Sequence, residues 1–454
     1  MQCYGITDSS STQTILVNEL VVAGNKYTRT AIIARELAVI NNVNYTLVQF
    51  DSLVVISKNN LYNTGLFAAV EINYSPQNNT KGVLLILVTE RIRFLPLPVV
   101  ELADRNPSAW FQHPSFSRVN YGLAIIMRNL TGRNESYTFG FKRGFNNAAM
   151  LEYFTPSLGA KLAHGFGAKL RYATNNQLLV RTLNNKAEFY KAEGTVKVKH
   201  EYTAALRYVF RPKLYATHTL LAQYTYLSVK DTVLDLNPNF SSNNGTNTNT
   251  FFTLNYEFKL DRRDYKNFPL RGYFIDAMVQ KDGLNILKNE NVNTLFATLQ
   301  VKKFIKLNTR LYYAIGAKVK KSNDGYQPYF MLRGLGYGND LVRGFEYYNI
   351  DAKSYFYVRH NLKYALIKPN EIMLAGSKKN SVNVFRYGLF VNLFNDIGQG
   401  YNALTTPQPL TNKLLYSTGI GIDFITSYDA CIRIEYTLNN INTRGVYVSF
   451  VAPI

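Results

Sequence analysis

Cysteine is nearly absent: Cys3 and Cys431 are the only two in 454 residues. That excludes a disulfide framework and any zinc site built on cysteine pairs. The five histidines, His113, His164, His200, His218 and His360, show no metal-ligand spacing. No nucleophile elbow or phosphate loop is present. Gly419-Ile420-Gly421 looks like a piece of a nucleotide fingerprint. However, it sits in a strand-like stretch with no helix behind it, where glycine serves to leave room. No catalytic residue, metal ligand or cofactor is therefore expected, and the chain does not read as an enzyme. Charged residues are scarce at 18%. The longest clean apolar run, Val83-Leu84-Leu85-Ile86-Leu87-Val88, is far short of the roughly 20 residues of a spanning helix. With a mean hydropathy of −0.15, a helical membrane protein is excluded.

What the chain has instead is aromatic residues and positive charge. There are 34 Tyr and 28 Phe, residue types that favour strands; Tyr also suits a water–lipid boundary. The net charge is +21. The basic residues are spread along strand-like segments and no nucleic-acid motif accompanies them, so nucleic acid is not the expected partner. A basic barrel lumen or contact with anionic lipid headgroups fits better.

From about residue 118 the chain alternates with period two. In 310–320, Leu311, Tyr313, Ile315, Ala317 and Val319 share one face, while Arg310, Tyr312, Gly316, Lys318 and Lys320 share the other. In 385–393, Phe385, Tyr387, Leu389, Val391 and Leu393 oppose Arg386, Gly388, Phe390 and Asn392. In 355–364, Tyr355, Tyr357, Arg359, Asn361 and Lys363 form the polar side. One apolar face and one basic or polar face is the pattern of a transmembrane barrel, in which only alternate residues meet lipid. Residues 118–454, at roughly 21 per strand and connection, give about 16 antiparallel strands. Ser241 to Thr250 reads as a low-complexity mobile loop. Near the end, Asp423 and Glu435 fall on the inward face of adjacent strands, opposite Ile420, Ile422, Phe424 and Ile432, Ile434, Tyr436. A local Arg433–Glu435 pair is also compatible with that pattern.

Residues 14–91 read as an α+β unit in the order strand, helix, helix, strand, strand. Ile15 to Ala23 is β-rich and ends at the turn Gly24-Asn25. Arg29 to Ile40 places Ile32, Ile33, Leu37 and Ile40 on one helical face. Leu47 to Asn63 is a second helix, stopped near Gly65. Two strands, Ala68 to Tyr74 and Gly82 to Glu90, follow around a polar turn at Ser75 to Asn79. A connector, residues 92–117, carries Pro96, Pro98, Pro107, Pro114 and Trp110.

The unit resembles a POTRA domain. Gly24-Asn25 followed by Arg35-Glu36-Leu37, then Leu61-Tyr62-Asn63-Thr64-Gly65-Leu66-Phe67 with Val70, and Thr89-Glu90-Arg91 match that module; Gly24, Asn25, Gly65, Leu66 and Phe67 are its signature here. Further on, Val342-Arg343-Gly344-Phe345 resembles the Val-Arg-Gly-Phe/Tyr motif of the BamA/TamA-type outer-membrane assembly and translocation proteins. Arg128 to Glu135 is similar to that family's first hairpin. Asp261-Arg262-Arg263-Asp264 with Pro269-Leu270-Arg271-Gly272 is similar to its mid-barrel segment. Gly419 to Glu435 is similar to its penultimate strands. The resemblance implies that Arg343 tips a loop that folds back into the barrel and meets an acid on the inner wall. Asp423 and Glu435 are the candidate partners, with Gly419 and Gly421 leaving space for the loop backbone. The chain departs from the family in its single POTRA-like unit, in Asn392 where an Asp is usual, and in a last strand, Gly445 to Val451, that continues into Ala452-Pro453-Ile454.

By resemblance, the chain is expected in the bacterial outer membrane with the POTRA-like unit in the periplasm. Its partners would be the lipid bilayer, unfolded outer-membrane or secreted clients, and periplasmic chaperones or accessory lipoproteins. Its role would be to insert or translocate other proteins, through the POTRA-like unit and a lateral seam between the first barrel strand (about Val119 to Met127) and the last. A dedicated secretion translocator for one partner and a passive porin-like channel are the alternatives. Residues 1–15 are polar and show no signal peptide, so the reading is of a processed or truncated form. Gln2 is not the small residue expected before a lipidated Cys3.

Overall fold

A computed structural model describes residues 14–77, 81–102, 115–194, 196–241, 245–288, 290–373, 384–403, 408–426 and 431–451. The chain separates into two compact units at residues 92–93.

The first unit runs β1 (Thr14–Ala23), α1 (Thr30–Arg35), β2 (Asn44–Thr46), α2 (Leu47–Asn63), β3 (Phe67–Pro76) and β4 (Lys81–Glu90). Its sheet order is β2-β1-β4-β3, with β1 and β4 parallel and the other pairs antiparallel. The period-two pattern of β4 buries Leu84, Ile86 and Val88, while α1 brings Ile32 and Ile33 down onto the sheet. A capping box starts α2: Thr46 Oγ1 accepts from the Gln49 N–H, and the Gln49 side chain accepts from the Thr46 N–H. Helix α1 is shorter than its apolar pattern suggests, and Ile40 is exposed. The reason lies in α2. Asn60 donates to the Glu36 carbonyl at 3.0 Å, and Ser57 accepts from the Ala38 N–H at 2.9 Å, so side chains of the second helix take over the end of the first.

The signature residues of this unit hold its corners. Gly24 lies at φ +86°, and a Cβ there would sit 2.1 Å from the Val88 carbonyl oxygen. Asn25 donates to the Thr28 carbonyl at 2.9 Å. Thr28, itself buried, gives its N–H to the Glu90 carboxylate at 2.6 Å. Gly65 turns α2 into β3 with φ +73°, and Leu66 and Phe67 are buried behind it.

The second unit is one antiparallel sheet of sixteen strands. It consists of β5 (Phe94–Leu102), β6 (Val119–Arg128), β7 (Ser136–Gly144), β8 (Asn146–Leu158), β9 (His164–Asn175), β12 (Lys199–Phe210), β13 (Ala216–Val229), β14 (Thr248–Asp261), β15 (Gly272–Asp282), β16 (Thr294–Lys306), β17 (Leu311–Ser322), β18 (Ser354–Met373), β19 (Val384–Tyr401), β20 (Leu415–Ile425), β21 (Cys431–Asn439) and β22 (Arg444–Val451). Between β9 and β12 a separate hairpin, β10 (Gln177–Leu183) and β11 (Lys186–Lys191), stands apart from the wall. A short helix, α3 (Asp231–Leu236), lies between β13 and β14. The alternation has its expected consequence. Ile420, Ile422 and Phe424 are exposed on the outside while Asp423 between them is fully buried within; Leu393 is exposed beside buried Asn392.

Three expectations need correction. The connector contains a strand, β5, and this strand rather than Val119 to Met127 starts the barrel sheet. Pro96 and Pro98 obscured it, because proline argues against a strand anywhere except at an edge. The Arg128–Glu135 segment is consequently the second hairpin of the sheet, not the first. Its turn is held by Glu135, which accepts from the N–H groups of Thr131 and Arg133. Burial works to raise the Glu135 carboxyl, and these N–H groups outweigh it and hold the group below the ordinary carboxylate range. Lastly, Thr248 to Thr250 belong to β14, and Asn249 and Ser241 are buried and hydrogen-bonded to each other. The polar composition there belongs in part to a strand; residues 242–244 lie outside the described residues. Cys3, Pro107, Trp110, Pro114, Asn78, Asn79 and Ala452 to Ile454 lie outside the described residues.

Gly24→Val should destabilise the first unit by roughly 2 kcal/mol or more, combining left-handed strain with a backbone clash. Hydrogen exchange of the full chain checks this: protection should fall in β1 and β4 and stay unchanged in β12 to β17.

Candidate functional site

Residues 323–353 leave β17 and return to β18 through the inside of the sheet. A 3-10 turn at Tyr329–Met331 and the bridge Leu335↔Ile350 fold the segment on itself. Val342, Phe345, Leu335 and Ile350 pack with Tyr355, Tyr357 and Leu415 of the wall. The segment meets the wall where glycine permits it. A Cβ on Gly398 would lie 2.7 Å from Val342 Cγ2, and one on Gly344 (φ +84°) would lie 2.5 Å from Thr437 Cγ2. The Gly344 carbonyl accepts from Asn439 Nδ2 at 2.7 Å.

Arg343 is fixed on every side. Its Nε and Nη2 bond both oxygens of Asp396, at 2.8 and 2.5 Å, and its backbone N–H bonds the same carboxylate at 3.1 Å. Nη1 reaches Glu435 at 3.0 Å and Asn361 at 2.8 Å. The guanidinium stacks 3.9 Å above the Phe394 ring. Bidentate geometry, a second carboxylate and an aromatic face together use the planar fork as lysine cannot. Arg343, Asp396 and Glu435 are all buried. Removing one partner would strand the others in low dielectric, at about 3–5 kcal/mol.

Of the two acids expected to receive Arg343, the structure brings Glu435 to it and gives Asp423 to others. Asp423 is held by Arg433 at 2.7 Å, with Asn392 at 2.9 Å and Lys363 at 3.6 Å. The local Arg433–Glu435 approach exists too, at 3.8 Å, and links the two clusters. The main partner, Asp396, was missed. Alternation in β19 extends past Leu393: two steps beyond Asn392 on the inner face, it reaches Asp396. Gly419 and Gly421 leave space for other groups than expected. A Cβ on Gly419 would strike the Phe394 ring at 2.5 Å, and one on Gly421 the Glu435 side chain at 2.7 Å. These glycines thus seat the residues that hold Arg343, not the loop backbone.

Above this lock the interior is covered. The β10–β11 hairpin tip is tied down by Asn185, which donates to the Asn349 carbonyl at 2.9 Å and accepts from the Leu410 N–H at 2.8 Å. Thr182 bonds the buried Tyr329 hydroxyl at 2.8 Å. Val180, Ala192, Val229, Val233 and Phe240 pack with Tyr329 into an apolar cluster over the opening. Among the described residues no group of His, Cys, Asp and Glu is arranged to hold a metal ion.

Arg343→Ala and Asp396→Ala, combined in a double-mutant cycle of unfolding in detergent, should show a coupling on the order of 2 kcal/mol. The cycle of Arg343→Ala with Asp423→Ala should be nearly additive. Additivity with Asp396 would refute the lock.

Comparison with known proteins bears on the fold that carries this site. No characterised protein matches the chain by sequence. Two solved structures share the fold over almost all of it: BamA from Haemophilus ducreyi lacking POTRA domains 1–3, at 15% identity and TM-score 0.51, covering 96% of this chain and 83% of that one; and CdiB from Escherichia coli, at 9% identity and TM-score 0.51, covering 99% and 91%. A family model, the Omp85 superfamily domain, matches residues 129–450. The span holds the inward loop, its arginine and both acids, and the chain belongs to the Omp85 superfamily of bacterial outer-membrane β-barrels that insert or translocate proteins.

Proposed function

We propose that this chain inserts polypeptides into the outer membrane laterally, through a seam between β5 and β22. The observation that carries the reading is the outer side of β5, which pairs with no strand among the described residues. The Arg128 N–H donates to the Arg93 carbonyl at 2.8 Å, in line with the register Phe94↔Met127. Odd-numbered residues of β5 are therefore those bonded to β6, and Phe94, Pro96, Pro98, Val100 and Leu102 turn their backbone groups to the outer edge. Pro96 and Pro98 have no N–H, so two of these five positions offer no donor. At the other end, Asn439 donates to the Thr443 carbonyl at 3.2 Å, so Arg444 and Val446 of β22 turn their backbone N–H groups to its outer side. No register joins β5 to β22 among the described residues.

A seam short of donors on one side opens at low cost, and an incoming strand with its full set of N–H groups pairs with β22 better than β5 does. The lumen is filled by residues 323–353 and covered, which disfavours both a passive channel and passage through the interior. Residues 14–91 we assign to the periplasm, where the outer edge of β3 offers a strand-addition surface to unfolded clients. The work is mechanical and calls for no catalytic residue, cofactor or metal.

Pro96→Val with Pro98→Val restores two donors, each worth about 1 kcal/mol. Insertion of a barrel client into proteoliposomes should slow by roughly thirtyfold while heat resistance of the folded barrel rises; an unchanged rate would count against the seam. Depletion with quantitative proteomics of the outer membrane defines client range. A broad fall in barrel proteins supports general insertion, and loss of one exported protein alone indicates a dedicated translocator.

A further inference from the structure

The outer wall of the barrel carries a groove with a charged mouth, and the geometry points to a binding site for a phosphate-headed acyl lipid. The proposal rests only on the barrel lying in a bilayer.

The groove follows from cross-strand rows on the lipid-facing side. One row runs Phe141↔Ala149↔Tyr172↔Tyr202. The next runs Phe139↔Leu151↔Leu170↔Ala204↔Tyr224. Each row is bulky except for one alanine, at Ala149 and at Ala204. Side chains directly opposite on neighbouring strands touch, so a methyl between large neighbours leaves a trough. The trough comprises two adjoining cavities of about 460 and 400 Å³ that share Ala149 and Tyr172. The first is walled by Phe139, Leu151, Leu170, Tyr202 and Tyr224 and is almost wholly apolar.

The second changes character. Arg143 and Lys197 join its lining, with Asn147 beside them, and no carboxylate does. Arg143 is exposed at the end of β7, its guanidinium 5.4 Å from the Phe141 ring. Lys197 Nζ donates to Asn176 Oδ1 at 2.6 Å, a neutral partner that leaves its charge uncompensated. β7 ends on the same side of the barrel as β17, where residues 323–353 depart. The cations thus sit at the membrane boundary and the apolar trough runs below them toward the hydrocarbon. An acyl chain laid over Ala149 and Ala204 places its phosphate between Arg143 and Lys197, where basic side chains attract anionic headgroups. Phosphate offers oxygens to both cations at once.

The test is native mass spectrometry of the purified full chain in detergent, with phosphatidic acid or diacylglycerol of the same chain length as probes. The two differ only in the phosphate. Wild type should retain one phosphatidic acid and release diacylglycerol. Arg143→Gln with Lys197→Gln should weaken phosphatidic acid retention by roughly tenfold or more. Ala149→Phe with Ala204→Phe should abolish retention by filling the trough. Heat-modifiable gel mobility confirms folded barrels in each case. Equal retention of both probes by wild type, or full retention by the trough-filled variant, would overturn the site in favour of a non-specific lipid annulus.

Discussion

A backbone amide in hydrocarbon has no water to fall back on, and the architecture of residues 93–454 answers that constraint. Among the described residues each interior strand of the sheet has a neighbour on both sides, and the sheet ends at β5 and β22. Once the sheet separates lipid from lumen, every residue is assigned to one side by parity. Ile420, Ile422, Ile434 and Leu393 go out; Asp396, Asp423, Glu435 and their cations go in. The same constraint explains why proline is informative in β5. In an interior strand a missing donor would leave a neighbour's carbonyl unsatisfied, whereas on the outer side of an edge strand no carbonyl of the sheet depends on it.

Inside, the constraint is electrostatic. Burying three carboxylates on neighbouring strands is tolerable only because four cations converge on them: Arg343 and Arg359 near Asp396, Arg433 and Lys363 near Asp423, with Glu435 between. Only one of those cations, Arg343, comes from outside the wall. The inward loop is therefore part of the charge balance of the lumen, and its insertion and the stability of the late strands are one problem. That coupling, more than the apolar contacts of Val342 and Phe345, gives the loop a single defined position.

Much of this was legible in advance for a plain reason. Period-two alternation is local, so the inward side of Asp423 and Glu435, the outward side of Ile420 and Ile434 and an approximate strand number all follow from chain order. The POTRA-like corners at Gly24 and Gly65 are local too, since each is a short turn with a steric demand. Partner choice was less accessible. Asp423 and Glu435 look equivalent along the chain, but Arg433 stands directly opposite Asp423 across the β20–β21 register and claims it first. Asp396 shares the inward parity of Asn392, and nothing local marks it as the better partner.

The sequence by itself determined which residues face lipid and which face the lumen, because side-chain parity is a property of a strand and needs no neighbour. The resemblance of Val342-Arg343-Gly344-Phe345 to a family motif, rather than the alternation, implied that an arginine would be presented by a loop between two strands. The tertiary structure alone decided which carboxylate receives that arginine, that the proline-bearing connector supplies the first strand of the barrel, and that Ala149 and Ala204, on the fourth and sixth strands of the wall, open a trough beneath Arg143. Each of these depends on register between strands distant in the chain, and register is set by the closing sheet as a whole rather than by any one of its strands.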